Sequence, residues 1–192
     1  MNACADRRVV VTGLGVISPI GSTLESFWDS LVAGKSGITP LSAADPDNFS
    51  SKVAGQVHDF TPEDYFDPKE ARRTDRFIQF AVAAADKAVT DSRLDVDRED
   101  SSRIGVLVGS GIGGLTTIEQ QHDRFAKRGA RGISPFFIPM MIVDMASGMI
   151  SIRHKATGPN LCVVTACATA AHCVAAAFRS LKFGDADVYI TG

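Results

Sequence analysis

Apolar positions along this chain follow two rhythms. Four short, nearly unbroken apolar runs end in glycine or a small polar residue: "RRVVVTGLG" (7–15), "RIGVLVGSG" (103–111), "NLCVVTA" (160–166) and "ADVYITG" (186–192). Runs of that length, bounded by turn residues, predict strands buried on both faces. Between them the apolar spacing becomes helical. "STLESFWDSLVAG" (22–34) places Ser22 and Glu25 at capping-box spacing and closes on Gly34. "DRFIQFAVAAADKAVTDSR" (75–93), rich in alanine, predicts a helix that packs closely on its neighbours. "LTTIEQQHDRFAKRG" (115–129) predicts another helix. "SPFFIPMMIVDMASGMISIRHKATG" (134–158) reads as a long apolar, methionine-rich helical stretch entered through prolines, and an alanine-rich helix follows Cys167. Residues 35–68 hold four of the eight prolines, which predicts loops with one short strand at "KVAGQV". Strands alternating with helices imply an α/β fold around a mostly parallel sheet, covered on both faces.

Length and charge narrow the class. The chain has 192 residues, enough for one domain or part of a larger one, and a formal net charge of −2. That balance argues against a general nucleic-acid or membrane-surface binder. The start "MNACADRRVVVTGLG" has no apolar core for a secretory signal, and no run reaches the roughly 18 apolar residues of a spanning helix. Four cysteines, Cys4, Cys162, Cys167 and Cys173, three of them in one strand–helix unit, do not form a secreted disulfide framework. A reducing compartment follows. The sequence closes on Gly192, where a buried strand should turn into its next connection. The expectation is the front part of a longer polypeptide.

Two motifs invite chemistry. "GSGIGG" (109–114) fits G-x-G-x-x-G between a strand and a helix, the setting of a dinucleotide loop. It lacks the second strand ending in an acid about 20 residues on, because "KRGARGISPFF" stands there. The glycines then serve close approach of backbone to a shared pocket. "TACATAAHC" (165–173) sets Cys167 at the joint of a strand and a helix. Near a helix start, unpaired backbone N–H groups and the positive end of the dipole favour a thiolate, the nucleophilic form. A sharp turn lifts the side chain into the open, as in a nucleophile elbow, and the small neighbours Ala166, Ala168, Thr169 and Ala170 leave room for a substrate carbon. The Cys167 N–H is placed to serve as one oxyanion donor. A metal is disfavoured, since Cys167, His172 and Cys173 diverge around one helix and Cys162 to Cys167 is not zinc spacing. Cys4, Cys162 and Cys173 read as packing.

"VVVTGLGVISPIG", "ARRTDRFIQFA", "IGVLVGSGIGGL", "ISPFFIP" and "VTACATAAH" occur in the order and spacing of β-ketoacyl-acyl-carrier-protein synthases. From Arg7 to Gly192 the chain resembles the type II condensing enzymes of bacterial and organellar fatty-acid synthesis. The resemblance implies a thiolase-like fold, layered α-β-α-β-α and built from two related halves. Residues 1–192 would be the N-terminal half, with the C-terminal half absent. It implies acyl transfer from the phosphopantetheine of acyl carrier protein to the Cys167 sulfur, then decarboxylative condensation with a malonyl unit. Neither cofactor nor metal is implied. The partners implied are acyl carrier protein and a second copy in a homodimer, with no nucleic acid and no membrane, in the cytoplasm or an organelle's stroma or matrix. The family's two catalytic histidines, its lysine and its second oxyanion loop would lie beyond Gly192. The piece alone is therefore expected to be inactive. His172 matches a structural histidine after the cysteine motif; His122 and His154 read as surface or packing residues, and His58 lies in a loop.

Further residues follow from the match. Ile112 corresponds to a residue gating the acyl pocket, against simple burial behind a glycine loop. Phe137 corresponds to an aromatic near the tail of the acyl tunnel, against core packing. Lys69, Arg72 and Arg73, at i, i+3 and i+4, share a helical face suited to an acidic carrier protein. With Arg131 they match carrier-docking positions, against an ordinary solvated face. Rival readings are a polyketide ketosynthase, a chain-length-factor relative that would lack the cysteine, and a nucleotide-binding oxidoreductase.

Overall fold

A computed structural model describes residues 7–192; Cys4 lies outside them. Helix α1 spans Leu24–Val32. Strands β1 (Ile38–Pro40) and β2 (Val53–Gly55) pair antiparallel within the proline-rich region. Helices α2 (Pro68–Ala71) and α3 (Arg76–Ser92) lead to strand β3 (Ile104–Leu107). Then come α4 (Leu115–Arg128), α5 (Phe137–Met141), α6 (Met145–Arg153), β4 (Asn160–Leu161), α7 (Thr169–Phe183) and β5 (Val188–Thr191). Strands β4, β3 and β5 form a parallel sheet in that order, with β3 central and every residue of it buried. The alternation of strands and helices thus yields the expected α/β fold.

Strand residues alternate between faces. Ile104 and Val106 of β3 and Ile190 of β5 join Ile78, Val82 and Ala85 of α3 and Ile150 of α6 in one core. The α3 residues recur at i, i+4 and i+7, the stripe that helical spacing predicted. Burying each such branched side chain contributes roughly 1.5–3 kcal/mol before conformational entropy is subtracted. Helix α7 lies on β3 and β5 and buries Thr169, Cys173 and Ala177, one residue per turn.

Two apolar runs depart from expectation: of 160–166 only the exposed pair Asn160 and Leu161 forms a strand, and the first run forms none. Residues 7–17 carry no ladder pairing, and Val10 and Val11 are 63% and 77% exposed. The run is held instead at two points. Arg7 donates to the carbonyls of Leu181 and Ala186 and pairs with Asp187 at 2.8 Å, and the Leu14 N–H donates to Asp91 of α3 at 2.9 Å. Between this run and β5 lies an apolar cavity of about 720 Å³. An apolar run predicts strand character, but a ladder also needs hydrogen-bond contact with an edge, and the cavity holds this run away from the free edge of β5. Other boundaries also shift. The box at α1 is closed by Thr23 and Ser26, one residue along from the expected pair, while Gly34 does follow the helix with φ 64°. The methionine-rich stretch breaks into α5 and α6 where Ile142 turns extended.

Asp187 ties the sheet's start to the end of α7. Arg103 grips both its carboxylate oxygens, at 2.9 and 3.1 Å, and also donates to the carbonyls of Gly184 and Asp185. The Arg103 hydrogen bonds, helped by Arg7, hold the Asp187 carboxyl below its ordinary range. A depressed carboxylate stabilises the fold above the unfolded value of about 3.9 and loses that contribution as pH falls through the folded value. Asp187→Asn should therefore lower the melting temperature by about 1–4 °C near pH 7, with the difference fading below about pH 4. Thermal melts of both proteins across that range test it.

Candidate active site

Two loops meet where β3 and β4 end. After β4 the chain runs through Val163 and Thr165 into a 3-10 turn, Ala166–Ala168, and only then into α7. Ala166 stands in the left-handed region at φ 51°, a conformation that costs an alanine roughly 1 kcal/mol or more. The backbone reversal puts Cys167 on the outside of the turn, exposed to solvent. The helix starts two residues later than the sequence suggested, but the geometry is that of an elbow. Neither the turn nor α7 is capped by its N-cap side chain, so the positive end of α7 is not occupied by those groups. Thr169 accepts the Thr165 N–H at 2.9 Å, and Thr165 bonds His172 Nδ1 at 2.7 Å. His172 therefore braces the elbow from behind, as its structural reading expects.

The glycine loop closes against this elbow. A Cβ on Gly109 would run into the Thr169 methyl and the Val163 carbonyl, and would stand 3.1 Å from the Cys173 sulfur. A Cβ on Gly111 would touch Ala166. Gly113, at φ 83°, and Gly114 lie equally close to the backbone of Met140 and Met141. These glycines serve close packing between loops. The start of α4, where a dinucleotide phosphate would dock, is already taken by a carboxylate. Buried Asp75 accepts both the N–H and the hydroxyl of Thr117, at 3.1 and 2.5 Å, and its other oxygen accepts from Phe77. One aspartate thus caps α3 and α4 together and sets a carboxylate at the start of α4, where a dinucleotide loop would present a phosphate.

The remaining thiols differ from Cys167. Cys173 is fully buried and Cys162 half-buried; burial pushes both thiols up. Both fit the packing role. Among the described residues no group of three histidine, cysteine or acidic side chains could hold a metal.

Other predicted residues are distributed around the loops. Ile112 sits at the tip of the glycine loop and is 67% exposed, so it is not buried behind the glycines. Phe137 opens α5 and is half-buried. Lys69, Arg72 and Arg73 are exposed at and just after α2. The Arg73 guanidinium lies 4.2 Å above the Phe136 ring, and Lys69 joins it in lining a second cavity with Phe136, Pro139, Met145 and Met149. Arg72 does not line that cavity, and Arg131 stands on the 3-10 turn after α4. His154 ends α6 with its ring 3.0 Å from Asp86 of α3, a packing role; His122 is exposed, and His58 bonds Thr39. Sequence reasoning missed Asp75, Thr117 and Ser147, whose partners lie 42 and 39 residues away. Ser147 alone left a trace, as a polar residue within the apolar stretch 134–158.

Comparison with known proteins places this geometry. The profile of the family described as "Beta-ketoacyl synthase, N-terminal domain" matches residues 6–192. A 3-oxoacyl-(acyl-carrier-protein) synthase 2 from Staphylococcus aureus is 46% identical over 187 residues, covering 97% of this chain and 45% of its own. One from Vibrio cholerae is 47% identical over 186 residues. The chain spans a little under half the length of these relatives. Among solved structures, the ishigamide ketosynthase/chain length factor aligns with TM-score 0.88 at 30% identity, covering 97% of this chain and 47% of its own. A type II PKS ketosynthase solved with its acyl-carrier protein aligns at 0.81 and 23% identity, over 97% of this chain and 50% of its own, and shows the same fold. The thiolase-like α/β architecture is therefore the fold of this chain.

Gly109→Ala should cost roughly 1–3 kcal/mol of stability, because backbone atoms of Val163 cannot yield to a new methyl. Urea unfolding measures it. At pH 8, alkylation followed by peptide mass spectrometry should label Cys167 well before Cys162 and Cys173.

Proposed function

The chain belongs to the β-ketoacyl synthase family, matching its N-terminal domain, and from that premise we propose that it carries the acyl-accepting cysteine of a 3-oxoacyl-acyl-carrier-protein synthase of the second type. One observation supports the assignment above the rest. Among the described residues Cys167 is the exposed thiol, raised on a left-handed turn at the uncapped start of α7.

The Cys167 thiolate attacks the thioester carbonyl of a carrier-bound acyl chain, and the Cys167 N–H supports the oxyanion. The new S–C bond forms as the phosphopantetheine sulfur leaves and takes up a proton. A malonyl thioester then loses carbon dioxide. The electron pair released attacks the Cys167 thioester, so a carbon–carbon bond forms, the β-ketoacyl product departs on the carrier and the thiol is restored. In this reading residues 1–192 are the N-terminal half of the catalytic unit. The histidines, the lysine and the second oxyanion loop belong to chain beyond Gly192. Ile112, exposed at the loop tip, borders the acyl path, and Phe137 on α5 lies toward its far end. Lys69, Arg72, Arg73 and Arg131, all exposed, are the cations offered to an acidic carrier protein. The intact protein would be a homodimer, working in the cytoplasm or an organelle's stroma or matrix. Sedimentation reads the first point.

Incubating the intact protein with acyl-loaded carrier protein should place the acyl mass on the Cys167 peptide, and Cys167→Ser should abolish the adduct. An adduct on another cysteine, or none, rejects the assignment. Reversing Lys69 and Arg73 to glutamate should slow acylation from carrier protein by about tenfold at low salt, with little change from a small pantetheine thioester. Stopped-flow acylation with the two donors separates docking from chemistry.

A further inference from the structure

The two loops of the site leave the sheet one residue beyond the last paired rung of β3 and β4, Leu107 with Leu161. Along this parallel pair the Val106 N–H donates to the Pro159 carbonyl at 2.9 Å. The same step taken two residues on would join the Val108 N–H to the Leu161 carbonyl. That bond is replaced. The Val108 N–H donates to the Ser147 hydroxyl at 2.8 Å, and the hydroxyl proton points to the carbonyls of Leu161 at 2.8 Å and Val108 at 3.0 Å. Ser147 is fully buried in the first turn of α6, and its own carbonyl accepts from the Asn160 side chain at 3.1 Å. A hydroxyl thus occupies one rung of the ladder, as a buried water would, and keeps the strands apart by its own width.

The next residue on one strand is Gly109, packed against Thr169 and Val163; six residues on along the other is Cys167. We propose that Ser147 is a positioning residue for Cys167: its hydroxyl, spliced between Val108 and Leu161, fixes the separation of the glycine loop from the elbow. This rests on the reading of Cys167 as the reacting group. Without the hydroxyl, Val108 can bond Leu161 directly, drawing Gly109 into Val163 and displacing the elbow.

The test uses the intact protein with iodoacetamide, read peptide by peptide. Ser147→Ala should lower the Cys167 alkylation rate by about tenfold while Cys173 stays protected. Ser147→Thr, which keeps the hydroxyl, should stay within about twofold of the unchanged protein. If Ser147→Ala leaves Cys167 within about twofold, or if Cys173 becomes reactive in parallel, the proposal is overturned. A measurement without any variant stands beside it. Amide exchange at Val108 should be as slow as at Val106, and exchange as fast as at Ile112 would overturn it too. Alkylation reports geometry whatever the acyl donor. Normal dependence on Ser147 with no acyl adduct removes the functional reading alone; normal acylation with a silent Ser147→Ala removes this one alone.

Discussion

Four buried residues, Ile104 to Leu107, hold the molecule together, because among the described residues β3 is the one strand with a neighbour on each side. Its register with β5 runs over four pairs and with β4 over only two. Each end of β3 is then fixed by a polar device. At its start Arg103 clasps Asp187 and the last carbonyls of α7. At its finish the Ser147 hydroxyl keeps β4 from following any farther. Apolar burial places the strand, and the two polar contacts decide where pairing begins and stops. The site lies at the second of those stops, as ligand sites in parallel sheets do at the carboxyl ends of strands.

Much of this was legible in the sequence, for stated reasons. The helices over 76–92 and 115–128 announce themselves because their apolar residues repeat at helical spacing and because an aspartate and glycines bound them. The elbow was legible as one of two readings of a cysteine between an apolar run and an alanine-rich helix, packing being the other. The glycine loop was legible as a place of close approach, though the bodies approaching it, Thr169, Val163 and Met141, were not. What local pattern cannot carry is partnership across the chain. The first run, Arg7 to Gly15, has the composition of a strand but no ladder, because a strand is completed by a neighbour and not by its own residues. The buried bonds from Asp75 to Thr117 and from Ser147 to Val108 were hidden for the same reason.

The electrostatics divide in a similar way. Exposed cations after α2 are available for an encounter, whereas Arg103, Arg7 and Arg153 are committed to carboxylates and carbonyls within the fold. Arg73 stands between these roles, since its guanidinium rests on Phe136. Resting on an aromatic face holds a long side chain in place without neutralising it. A partner meeting that surface would find one cation already oriented, and so would lose less side-chain freedom in binding it.

The run from Val9 to Gly13 is a strap with two buckles, Arg7 on Asp187 and Leu14 on Asp91. Undoing either one costs a surface contact and leaves the nine-residue core untouched. Beyond the buckles, Gly13 and Gly15 lie against the backbone of α3, so the inner end of the strap is packed while Val10 and Val11 stand in the open. Because Asp187 also anchors Arg103, the outer buckle shares its anchor with the sheet, so slack at the front of the chain is felt at its last strand.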